Sequence, residues 1–98
     1  MSFVAISTVS FPPALREEMH AVGLSMIPIA KIQPGFLSVA LHQSLDANET
    51  MMYWEWETGA DHENCMGSDD WASLMSVHAE LFQNEGVTFK ILTYDRLA

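Results

Sequence analysis

The residue order predicts an α+β chain running strand, helix, strand, strand, helix, strand, and three observations carry that prediction. Short stretches near each end and in the middle of the chain alternate residues with a period of two and are rich in β-branched and aromatic types. Two longer stretches repeat apolar residues at steps of three and four. Prolines, glycines and helix-capping residues stand between them. In this order both helices lie on one face of a four-stranded antiparallel sheet, the ferredoxin-like βαββαβ arrangement.

From Phe3 to Val9, the residues Phe3, Ala5, Ser7 and Val9 alternate with Val4, Ile6 and Thr8, which predicts the first strand. Pro12-Pro13 ends it, because neither residue can donate to a ladder, and Pro13 suits the start of a helix. Leu15, Met19, Val22, Met26 and Ile29 mark the apolar face of that helix. Gly23 is expected to weaken it, and Pro28 to bend or end its last turn. After the turn residues Gln33-Pro34-Gly35, the stretch Phe36 to Ser44 reads as a strand covered on both faces. Leu37, Val39 and Leu41 are expected on one face, with Phe36, Ala40 and His42 on the other.

A polar run from Asp46 to Glu49 turns the chain into a hairpin partner, Thr50 to Glu57. Met52, Trp54 and Trp56 share one of its faces; Met51, Tyr53, Glu55 and Glu57 share the other. Thr58 and Asp61 have capping-box spacing, so a short helix begins near Gly59. Gly67 interrupts it, and Ser68 or Asp69 caps a second segment in which Trp71, Leu74, Met75, His78, Leu81 and Phe82 share a face. Past Gly86, Val87, Phe89 and Ile91 alternate with Thr88, Lys90 and Leu92 in a last strand reaching about Tyr94.

A length of 98 residues predicts a single domain over 1–98, so any site lies within it or at its contact with another copy. The apolar share of 49% exceeds what so small a domain hides alone, and large apolar residues fall on both faces of the middle strands. A homodimer through the sheet faces is therefore expected. Lys31, Lys90, Arg16 and Arg96 stand against 13 acidic residues, and the net charge of −9 argues against nucleic acid and anionic membranes as partners.

Cys65 is the only cysteine, so there is no internal disulfide and no cysteine-based metal framework, and a reducing cytoplasmic location is expected. The first residues lack a basic region followed by a long apolar run, so no signal peptide is expected either. No glycine-rich phosphate loop, metalloprotease helix, paired-carboxylate signature or nucleophile elbow is present. No metal and no cofactor are expected.

The strings Gln33-Pro34-Gly35-Phe36-Leu37-Ser38, His42-Gln43-Ser44-Leu45-Asp46 and Trp56-Glu57-Thr58, with Ser68-Asp69 ahead of an amphipathic helix, resemble the antibiotic biosynthesis monooxygenase (ABM) domain over roughly residues 3–94. That resemblance implies a dimeric α+β barrel with a pocket between helices and sheet in each subunit. It also implies one of several chemistries: cofactor-independent oxygenation of anthrone-like or quinol substrates, haem degradation, or isomerisation of small sugars. The asparagine, tryptophan and histidine of the haem-degrading branch fall at Ser7, Cys65 and Met75. The tryptophan, asparagine and tyrosine of the anthrone-oxidising branch fall at Trp56, Met52 and His62. In the quinol-oxidising branch two histidines fall at Cys65 and Asp70, and an acidic residue falls at Trp54. The chain thus keeps the family's frame and departs from most of its site residues.

Two histidines are candidate bases. His62 stands near the start of the short helix, where the family places substrate and an imidazole can take a proton from a phenol or quinol. His78 lies on an apolar helical face, where a satisfied core histidine is the plain alternative. Met52, Trp54, Trp56, Cys65, Trp71 and Met75 are candidate substrate-binding residues for a flat apolar or small aromatic ligand, against the alternative of rings filling a small core. Cys65 shares a helical face with His62, yet a buried inert thiol is the simpler reading. The function expected is cofactor-independent oxygenation of a small aromatic or quinol-like substrate. A non-catalytic dimeric binding module and a haem-binding protein are the alternatives.

Overall fold

The computed structural model describes residues 2–98 and follows the expected order. Strand β1 (Phe3–Ser10) leads through a 3-10 turn at Pro13–Leu15 into helix α1 (Arg16–Lys31). The hairpin β2 (Phe36–Gln43) and β3 (Glu49–Trp56) follows, then α2 (Gly59–Met66), α3 (Asp69–Val77), the short α4 (Ala79–Phe82) and β4 (Thr88–Asp95). The sheet order is β2-β3-β1-β4 with every neighbouring pair antiparallel. This is the α+β, ferredoxin-like fold that the sequence predicts.

Period-two alternation sorts the side chains. Ala5 on β1 and Met52, Trp54 and Trp56 on β3 turn inward and meet Ala30 of α1 and Cys65 of α2 in the buried core. Trp56 is fully buried, edge-on to Phe36 at 5.7 Å between ring centroids. Both expected caps form. The Thr58 hydroxyl accepts the Asp61 N–H at 3.2 Å and donates to its carboxylate, and the Ser68 hydroxyl accepts the Trp71 N–H at 3.2 Å.

Four expectations change. Helix α1 buries Met19, Val22, Gly23 and Ala30, a face turned away from Ile29. Gly23 serves that packing: a Cβ there would come within 3.0 Å of a Leu41 methyl, so its bareness lets α1 approach β2 closely. Pro28 does not end the helix, which runs on to Lys31. It sits on the exposed side, while Ala30 beyond it is fully buried and holds the last turn down.

The third change is a register shift between Phe36 and Ser38, which places Phe36 opposite Trp56 and Ser38 opposite Glu55. Phe36 therefore shares the inward face with Val39 and Leu41, and Leu37 is left exposed. Lastly, the expected long helix breaks at His78, which ends α3 and precedes α4.

Across the helix-free face the strands align in rows. Ala40, Tyr53, Ile6 and Leu92 form one; His42, Met51, Thr8 and Lys90 a second; Ser38, Glu55, Val4 and Tyr94 a third. At its end Glu55 accepts from the Ser2 hydroxyl and forms an ion pair with Arg96 at 3.1 Å. Both bonds favour the charged carboxylate and lower the Glu55 pKa, the Ser2 contact most. Among the described residues no helix is long and apolar enough to cross a membrane.

Candidate active site

Between the helices and the inner sheet face lies a cavity of about 590 Å³. Its floor is the inward rows of the sheet: Ser7 and Val9 from β1, Leu41 from β2, and Thr50, Met52 and Trp54 from β3. Phe89 and Ile91 extend the floor onto β4. Helix α1 roofs it with Met19, Val22, Gly23 and Met26, and α2 and α3 close one end with His62, Met66, Trp71 and Met75.

The walls are almost wholly apolar, and no Lys, Arg, Asp or Glu lines them. Five of the seven methionines face the space: Met19, Met26, Met52, Met66 and Met75. Trp54 and Trp71 meet edge to face at 6.0 Å and give it an aromatic end. Such a chamber favours an uncharged flat molecule by apolar contact, with orientation left to a few polar atoms. Ser7, Thr50 and His62 are the buried polar residues that line it.

His62 is held by the capped first turn of α2. Its ring lies 5.3 Å from that of Phe3 and 6.1 Å from that of Trp56. Burial disfavours the imidazolium and lowers the His62 pKa below its ordinary 6.5, although Glu63 next to it acts in the opposite sense. The imidazole is neutral at pH 7 and faces the cavity, as a proton acceptor must.

The other sequence candidates divide. Met52, Trp54, Trp71 and Met75 line the cavity with His62. Trp56 and Cys65 do not: both are fully buried behind its wall. The Trp56 indole N–H is the one buried side-chain donor left unpartnered among the described residues. Burial pushes the Cys65 thiol up to about 11, so it stays protonated and is no nucleophile at neutral pH. His78 lies at the break between α3 and α4 and is not among the residues that line the cavity.

Ser7 and Thr50 were legible only as departures or strand residues. The signal that marks them is parity: each falls at an inward position of a strand whose other inward residues are apolar. No cluster of three or more metal-ligating side chains occurs among the described residues.

The sequence profile described as antibiotic biosynthesis monooxygenase matches residues 2–76. The chain belongs to the antibiotic biosynthesis monooxygenase family. No curated protein sequence is a significant match to it. Solved structures share the frame of this ABM chain at low identity. A conserved protein of Methanosarcina mazei superposes with a TM-score of 0.81 at 16% identity, over 98% of this chain and 93% of that one. SnoaB, a cofactor-independent oxygenase from Streptomyces nogalater, gives 0.82 at 12% identity, over 99% and 94%. A Pseudomonas aeruginosa protein gives 0.78 at 21% identity, over 99% and 95%. At these identities the likeness concerns the fold.

Proposed function

We propose that this ABM protein is a cofactor-independent monooxygenase of a small, uncharged aromatic or quinol-like substrate. The observation that carries the reading is a neutral, buried His62 facing an apolar chamber large enough for two or three fused rings. His62 takes a proton from an activated phenol or methylene group, and the resulting electron-rich anion reacts with dioxygen directly. One oxygen atom enters the substrate as a carbonyl; the other leaves as water with the two hydrogens lost from carbon. Family membership admits this chemistry, and the likeness to SnoaB, a cofactor-independent oxygenase, supports it. Met75 at the position of the haem branch's iron ligand supports it too.

Oxygen uptake with a panel of anthrones and naphthalene-diols tests it. The expected result is turnover that falls roughly 100-fold or more in His62→Ala. Turnover unchanged by that substitution overturns the role of His62. A panel that binds without consuming oxygen favours the non-catalytic binding module instead.

The functional unit in this reading is a homodimer through the helix-free sheet face. Leu92 and Tyr94, each 45% exposed, continue the rows of Ile6 and Val4 there and gain cover from a second copy. Light scattering should report a dimer that Leu92→Asp converts to monomer; a monomeric wild type at micromolar concentration overturns it.

A further inference from the structure

Ser7 occupies the middle of the cavity floor. Its cross-strand neighbours are Met52 on β3 and Ile91 on β4, and both face the same space. A hydroxyl has one proton to donate and two lone pairs to accept with. Here the Trp54 indole N–H donates to the Ser7 oxygen at 3.3 Å, and this is the only hydrogen bond of the Ser7 side chain among the described residues. The indole nitrogen is a donor only, with no lone pair to accept, so the bond cannot be reversed. The Ser7 proton is therefore committed outward, toward whatever fills the chamber.

We propose that Ser7 is the positioning donor of this cavity, and that the ligand it selects is an uncharged ring system presenting a carbonyl or quinone-type oxygen to it. The proposal rests on the reading of the cavity as a small-molecule site and adds to it a point of attachment and a ligand class. An oxygen acceptor is favoured over a second hydroxyl donor because a donor would occupy the remaining Ser7 lone pair. The Ser7 proton would then be buried without a partner, at a cost greater than the bond returns. A ketone is favoured over a carboxylate because no cationic side chain lines the walls and the chain carries a net charge of −9.

The simpler use of Ser7 is to satisfy the buried indole of Trp54 and nothing more. Two compounds of one shape separate these uses: 1-tetralone, which carries a ketone, and tetralin, which lacks it. Dissociation constants for both are measured by equilibrium dialysis with wild type, Ser7→Ala and Trp54→Phe, after circular dichroism shows each to be folded. Ser7→Ala should weaken 1-tetralone roughly 3- to 10-fold and leave tetralin within about twofold. Trp54→Phe, which frees Ser7 of its indole donor, should keep the ketone preference.

Equal effects of Ser7→Ala on both compounds, or none on either, overturn the proposal. Loss of the ketone preference in Trp54→Phe with Ser7 intact overturns it as well. Failure of the oxygenase reading looks different, since 1-tetralone would bind with the expected preference while no substrate consumed oxygen. If neither compound binds wild type, the cavity is not a site for such ligands and the proposal falls with it.

Discussion

The inner face of the sheet is finished on one side and open on the other. Toward β2 and β3 the inward residues are sealed: Trp56 is 0% exposed, and Met52 and Trp54 are nearly so. Toward β4 the equivalent residues lie open, with Phe89 58% and Ile91 39% exposed, although both border the cavity. The cause is coverage. α1 and α2 lie across β2 and β3, whereas β4 is held chiefly by its ladder with β1 and no helix packs extensively on it. One side is built as a core and fixes the position of His62. The other is a wall whose apolar surface contributes to binding more than to folding.

Substitutions on the two sides should therefore differ widely in effect. Trp56→Ala removes the largest fully buried ring and should cost roughly 3–5 kcal/mol in urea unfolding. A loss below about 1 kcal/mol would show the sealed side to be less of a core than its burial implies. Gly35→Ala comes next. Gly35 has φ of 80°, and a Cβ there would lie 2.1 Å from an Asp61 carboxylate oxygen, so the substitution strains the backbone and pushes on the first turn of α2. A cost of about 1–3 kcal/mol is expected, measured the same way.

The pH dependence of stability sharpens the same contrast. His62 has a lowered pKa in the folded chain, so the unfolded chain binds more protons as pH falls below the ordinary value of 6.5. Stability should decline from there downward, and His62→Gln should flatten that decline. Glu55, whose pKa is also lowered, contributes above its ordinary 4.5 and is lost only as pH falls past it, so the two windows separate. In a midpoint denaturant series from pH 7 to 5, the difference between wild type and His62→Gln reads the His62 part. Identical slopes in wild type and variant would mean that the ring is better hydrated than its burial indicates. Phe89→Ala is the smallest expected effect, within about 0.5 kcal/mol, because the residue is already largely in water. A loss above about 2 kcal/mol would mean that something covers β4 in solution.

Much of this was readable from the residues. Alternation grouped Ala5 with Phe3, Ser7 and Val9 in β1 and Met52, Trp54 and Trp56 on one face of β3, and Thr58 with Asp61 located the start of α2, because both signals are local and each is satisfied by its own neighbours. The departures depend on contacts remote in sequence. The shift at Phe36 follows from pairing with Trp56, some twenty residues away. Helix α1 runs past Pro28 because Ala30 is buried against the sheet. At the site, aromatic and imidazole residues advertise themselves, and four of the six candidate lining residues do reach the cavity. Ser7 does not advertise itself. A serine in a strand is unremarkable until its partner proves to be an indole that leaves its proton unspent.

The five methionines of the cavity wall have a consequence for how the protein chooses among guests. Unbranched thioether chains turn about several bonds at little cost and fill whatever outline is offered. Such a lining resembles upholstery more than a mould: it takes the shape of its occupant and penalises an extra ring or methyl only mildly. Discrimination then shifts to the few atoms that cannot yield. Molecules of quite different silhouette would be admitted alike, provided each carries its oxygen to the same spot on the floor.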